Sequence, residues 1–203
     1  MKILRYIAIA GSVLCIGALF GLYWGIIPGA ERTRSGGIAA IGGPFTLSDQ
    51  NKRMRSEADF RGKFLLIYFG YSYCPDVCPT ALQVMSVALE GLPKRTKFIQ
   101  PIFISVDPER DTADHLKEYL TNFHPSFIGL TGTKEQIKNA AKAFRVYYNK
   151  SGNDNNSRSK DYLMDHSSII FLMDPDGKYV THFSHQTTPS QLSKELRTLV
   201  NPK

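Results

Sequence analysis

Phe64-Leu65-Leu66-Ile67-Tyr68-Phe69-Gly70-Tyr71-Ser72-Tyr73-Cys74-Pro75-Asp76-Val77-Cys78-Pro79 is the stretch whose reading settles the fold. Its first six residues form a nearly continuous apolar run, the pattern of a strand buried on both faces of a sheet. Pro79 suits the first turn of a helix, and a helix is predicted over 80–92. The two cysteines therefore fall at a strand-to-helix junction, where both sulfurs can face one point. Cys78 borders the helix N-terminus, whose unpaired amides and dipole favour a thiolate. A thiol pair so placed binds a soft metal ion or shuttles between dithiol and disulfide. The usual redox motif has two residues between its cysteines; the three found here weaken the inference to simple disulfide exchange. A structural bridge closing so small a loop would gain little stability. One imidazole brought from elsewhere would complete a three-coordinate site, and Asp165-His166-Ser167 offers it.

Outward from this junction the pattern continues as one α/β domain. Residues 45–48 suggest a short strand followed by a turn at 49–51, and 98–106 a second central strand ending at Asp107-Pro108. Thr112 caps a helix reaching 121, and 127–130 is a short strand. Thr133 and Gln136 form a capping box for a helix to 144. Residues 146–148 read as extended. The stretch 149–160 has no apolar residue and is a solvated loop. Two strands at 168–173 and 178–183 flank Asp174-Pro175-Asp176-Gly177 as a hairpin, and 189–200 closes the chain as a helix. A β-α-β unit followed by an antiparallel hairpin and a terminal helix is the thioredoxin-like order.

The first 43 residues read differently. Residues 6–27 carry no charge, and at about 1.5 Å per residue they span a hydrocarbon core of roughly 30 Å. A secretory h-region is usually only about 7–15 residues, so a transmembrane helix is preferred to a cleaved signal peptide. Leu14 is too large for a lipoprotein cleavage site before Cys15, which reads as a lipid-facing side chain. Lys2 and Arg5 would keep the N-terminus in the cytoplasm. The expected organisation is a membrane anchor over 1–30, a tether over 31–43 and a thioredoxin-like domain over 44–203. Gly17, Gly21 and Gly25 could pair two such helices into a homodimer, although any membrane helix tolerates small residues. The presequence is too short and arginine-poor for a mitochondrial transit peptide. A bacterial inner-membrane protein facing the periplasm is favoured over one of the mitochondrial inner membrane. The formal charge is +7, but without a lysine- or arginine-rich run it gives no nucleic-acid surface.

Residues 69–79, then Ser105-Val106-Asp107-Pro108-Glu109-Arg110-Asp111-Thr112, then Asp165-His166-Ser167 resemble the SCO/SenC family of membrane-anchored copper proteins, in the family's order. The resemblance implies a thioredoxin-like fold binding copper through Cys74, Cys78 and His166. It also implies a metallochaperone that delivers copper to the dinuclear centre of cytochrome c oxidase subunit II, alone or with assembly factors. The donor chemistry agrees, because thiolates select Cu(I) while an imidazole suits Cu(II) as well. A structural zinc site normally takes four ligands, and no convincing fourth is found.

The alternative is a thiol–disulfide oxidoreductase using Cys74 and Cys78 to reduce the acceptor's cysteines, in which His166 has no direct part. A peroxidase of the peroxiredoxin kind would need a Thr-x-x-Cys approach, and Tyr71-Ser72-Tyr73 stands there instead. Asp76 reads as a turn former, and His115 and His124 as surface residues. His182 and His185 would reach the metal only if the hairpin folded toward it. Asp107 reads as a turn or cap near the site. Asp165 reads equally as an acceptor orienting His166 or as an outward carboxylate.

Overall fold

The two longest strands are buried along their whole length. In the computed structural model, which describes residues 41–151 and 162–200, β3 (Phe64–Gly70) and β4 (Ile99–Ser105) lie parallel in the middle of a seven-stranded sheet. The order is β2-β1-β5-β4-β3-β8-β9. Beside β4 runs β5 (Ile128–Thr131), parallel to it, and beyond it the hairpin of β1 (Thr46–Asp49) and β2 (Met54–Ser56). On the other side β8 (Ile169–Met173) and β9 (Tyr179–Ser184) form the expected antiparallel hairpin. Its turn is held by the Asp174 carboxylate, which accepts from the amides of Asp176 and Lys178, with Gly177 at φ 73°. Pro101 sits in a central strand without breaking a ladder, because β5 starts pairing only at Ile102.

Among the described residues four α-helices cover the sheet. The first, α1 (Val77–Glu90), packs against the last, α4 (Pro189–Leu199), whose capping box is Thr188 with Gln191. The short α2 (Ala113–Tyr119) lies on β5, where Leu116 and Leu120 close over Gly129. On the opposite face α3 (Lys134–Phe144), with the predicted Thr133–Gln136 capping box, sends Phe144 against Phe69 and Phe171. Tyr68 and Phe69, neighbours on one strand, thus point to opposite layers. Tyr68 faces α1 and Phe69 faces α3.

Three features differ from the expectation. The helix predicted from residue 80 starts at Val77, so Cys78 lies inside its first turn. Pro79 fits there because the opening amides of a helix have no intrahelical acceptor. The strand β2 has only three residues and no alternation to betray it. A separate two-stranded ribbon, β6 (Tyr148–Lys150) with β7 (Met164–His166), carries the candidate histidine. The apolar run 6–27 and most of the polar stretch before His166 lie outside the described residues. Among the described residues no helix is long and apolar enough to cross a membrane.

Candidate metal centre

Gly70 ends β3 at a point where no side chain fits. A Cβ there would stand 2.9 Å from the Cys78 sulfur, 2.9 Å from the Tyr68 ring and 3.0 Å from Phe103. The chain then turns through Tyr71 to Cys74, with the Cys74 amide donating to the Tyr71 carbonyl at 3.3 Å. The turn is anchored from below by Asp111, which is fully buried. Its carboxylate accepts from the Ser72 amide (3.1 Å), the Ser72 hydroxyl (2.5 Å) and the Ser105 hydroxyl (2.6 Å). Burial pushes the Asp111 carboxyl up against those three donors.

The structure brings Cys74, Cys78 and His166 together, with ligand atoms within 4.8 Å of one another. Cys78 is buried; Cys74 and His166 are half-buried. The Cys78 amide, an orphan of the helix start, donates to the Cys74 sulfur at 3.4 Å, so that sulfur serves as a cap. His166 Nε2 stands 3.2 Å from the Cys78 sulfur, and Nδ1 lies 3.3 Å from the Ser167 carbonyl. With Nδ1–H assigned to that carbonyl, Nε2 is the nitrogen turned into the cluster: protonated it donates to the sulfurs, and unprotonated it offers a metal its lone pair. Tyr68 and Tyr71 hold the imidazole edge-on, with ring centroids at 6.0 and 5.9 Å. Tyr68 Oη also donates to the Cys78 sulfur at 3.9 Å, and burial keeps that hydroxyl protonated by raising its pKa.

The two thiols share one proton unequally. A hydrogen bond from the Cys78 thiol, then bonds from His166 and from the Asp76 and Cys78 amides, hold Cys74 well below the ordinary thiol range despite burial. The same bond to Cys74, together with burial, pushes Cys78 far up. The reduced protein should therefore be alkylated by iodoacetamide at Cys74 and not at Cys78. A thiol of pKa about 8.5 is only roughly 0.3 % ionised at pH 6. Cys74 is ionised there, but its lower intrinsic nucleophilicity offsets most of the gain, so the diagnostic is the pH dependence. Its rate should stay flat from pH 8 to 6, as read by mass spectrometry; a tenfold fall per pH unit would show an ordinary thiol.

The other candidates divide. Asp76 is exposed, takes the N-cap position of α1 and meets only the Thr80 hydroxyl side chain at 3.4 Å, as befits a turn former. Asp165 is exposed and pairs across the ribbon with Asn149, so the Ser167 carbonyl, and not this carboxylate, orients His166. His124 bonds Ser126 within its own loop, and His182 meets Tyr179 on β9. His115 is more than a surface residue: Nε2 lies 2.8 Å from the Ser72 hydroxyl, and its ring stacks on Tyr73 at 5.0 Å. Sequence reasoning counted Tyr68 in the apolar run 64–69 and gave neither it nor Tyr71 a part in the site. The one available signal was a tyrosine hydroxyl within an aliphatic strand, which needs a buried partner.

A sheet with central parallel strands, an antiparallel hairpin and a Cys2His cluster at the first strand-to-helix junction defines a thioredoxin-like protein with a soft-metal site. The SCO1/SenC family model matches residues 33–201, and the chain belongs to that family. The SCO2-like protein of Rickettsia felis is 38% identical over 202 residues, covering 97% of each chain. The structure of Bradyrhizobium japonicum ScoI with copper bound is 43% identical with a TM-score of 0.71, over 78% of this chain and 99% of that one. Yeast Sco1 with copper bound is 41% identical with a TM-score of 0.73, over 79% of this chain and 88% of that one.

The residues fit the same ion. Two sulfurs and one imidazole nitrogen, gathered within 4.8 Å, form a soft three-donor set suited to copper. Among the described residues no fourth ligand joins them to close a structural zinc site.

Proposed function

We propose that this protein is a copper carrier for cytochrome c oxidase assembly, holding the ion on Cys74, Cys78 and His166. The observation that carries the reading is the convergence of those three donors, from a loop, a helix start and a separate ribbon, on one point. The copper in the relatives' structures supports it. The acceptor is the dinuclear copper centre of subunit II, reached with or without assembly factors. Residues 1–30 anchor the chain in a bacterial inner membrane, 31–43 tether it, and the domain from residue 44 works in the periplasm.

Burial sets the order of transfer. Cys74 and His166 are the solvent-facing donors and Cys78 is enclosed. An incoming acceptor thiolate or imidazole therefore displaces an outer ligand first and Cys78 last. Copper stays at least two-coordinate throughout. The reduced full chain, purified in detergent, should bind one Cu(I) per chain in competition with a chelator. A stoichiometry of zero, or of one ion per two chains, would overturn the reading.

The polarised thiol pair favours a second activity. The Cys74 thiolate attacks an acceptor disulfide, forming a mixed disulfide and releasing one acceptor thiolate. Cys78 then loses its proton and attacks the Cys74 sulfur. That leaves a Cys74–Cys78 disulfide and a reduced acceptor, two electrons having passed.

A further inference from the structure

Arg110 lies in the loop between β4 and α2, yet its side chain is only 8% exposed. A buried guanidinium is costly unless it is paired and hydrogen-bonded. Apart from Asp107 on its own loop, the described partners lie on the two segments that bring the outer copper ligands. Nε meets the Asp107 carboxylate at 2.5 Å, and Nη1 donates to the Tyr162 carbonyl at 2.9 Å. Its guanidinium carbon lies 3.6 Å from the centre of the Tyr162 ring, 4.7 Å from that of Tyr73 and 5.6 Å from that of Tyr71. The Tyr162 hydroxyl returns to the same Asp107 carboxylate at 2.7 Å. Tyr162 is thus gripped by its ring, its carbonyl and its hydroxyl. It enters the strand that ends in His166, while Tyr73 directly precedes Cys74.

We infer that Arg110 is a positioning residue for His166, fastening the segment that carries the imidazole to the loop that carries Cys74 and so setting the ligand spacing. The role rests on the copper reading above. It depends on shape as well as charge. Only a planar fork can stack on several aromatic faces while bonding a carboxylate and a carbonyl, and a lysine ammonium cannot.

The test compares the wild-type full chain with Arg110→Lys and with Tyr162→Leu, which loosens the same grip if the arginine variant fails to fold. In the metal-free reduced protein, the His166 ring resonances, shifted by Tyr68 and Tyr71, should move toward those of a free histidine in both variants. Cu(I) affinity should fall about 10- to 100-fold, the range for groups that orient a ligand. Cu(II) added to the same variants should show an altered thiolate-to-copper absorption. Wild-type resonances in Arg110→Lys, or weakened copper binding with the imidazole unmoved, would overturn the inference by reducing Arg110 to a charge. If the wild type takes up no copper, the carrier reading fails, and the metal-free spectra alone decide the positioning role.

Discussion

Replacing either cysteine by serine should abolish tight Cu(I) binding, with affinity falling more than about 1,000-fold, or roughly 4 kcal/mol. A hydroxyl is a hard, protonated donor where a thiolate is soft and charged, and two of the three donors are thiolates. The variants should differ in the metal-free state. Cys74→Ser changes a half-buried group at the rim and should leave the unfolding midpoint nearly unchanged. Cys78→Ser places a hydroxyl beside Gly70 and Tyr68 in a fully enclosed position and should cost about 1 kcal/mol. Chelator competition gives the first quantity and denaturant unfolding the second. Retained tight binding in either variant would remove that sulfur from the site. A collapse of the reduced, metal-free fold would instead mark the pair as structural.

His166→Ala should separate copper delivery from disulfide reduction. The imidazole is one of three donors, so copper affinity and oxidase assembly should both drop, assembly by tenfold or more if affinity sets the supply. The dithiol survives. Its polarisation comes first from the Cys78 thiol and only then from His166, so exchange with a model disulfide should stay within a few-fold of normal. The decisive measurement is oxidase activity in cells holding His166→Ala at wild-type protein levels. Full activity there would sink copper delivery as the function and leave the reductase.

Much of this architecture is legible in the sequence because its central strands are buried on both faces. The apolar run 64–69 has few other readings, and the capping box at Thr133 fixes one helix start from side-chain chemistry alone. The candidate triad is legible too, since two thiols beside a helix start and a remote histidine carry their own chemistry. What was hidden depends on contacts between distant segments. The start of α1 was obscured by Pro79, which suits any position in a first turn. The ribbon that carries His166 is built from three-residue strands, too short to show alternation. Arg110, buried among tyrosines from two other segments, reads in sequence as one more loop charge.

That ribbon gives the site an uneven mechanical character. Both sulfurs belong to the β3–α1 junction, which can let go only when the core itself opens. The imidazole rides on a pair of three-residue strands outside the main sheet, and so small a unit opens far more often than the sheet beneath it. An ion bound across the two joins a slow part of the molecule to a fast one. By mass action it holds the ribbon shut in proportion to its affinity, and the amide hydrogens of Ser151 and Ser167, which donate across the ribbon to Leu163 and Tyr147, should exchange more slowly when copper is aboard. Handing over the cargo then needs no global unfolding. The lifetime of the loaded state is written into the local equilibrium of six residues.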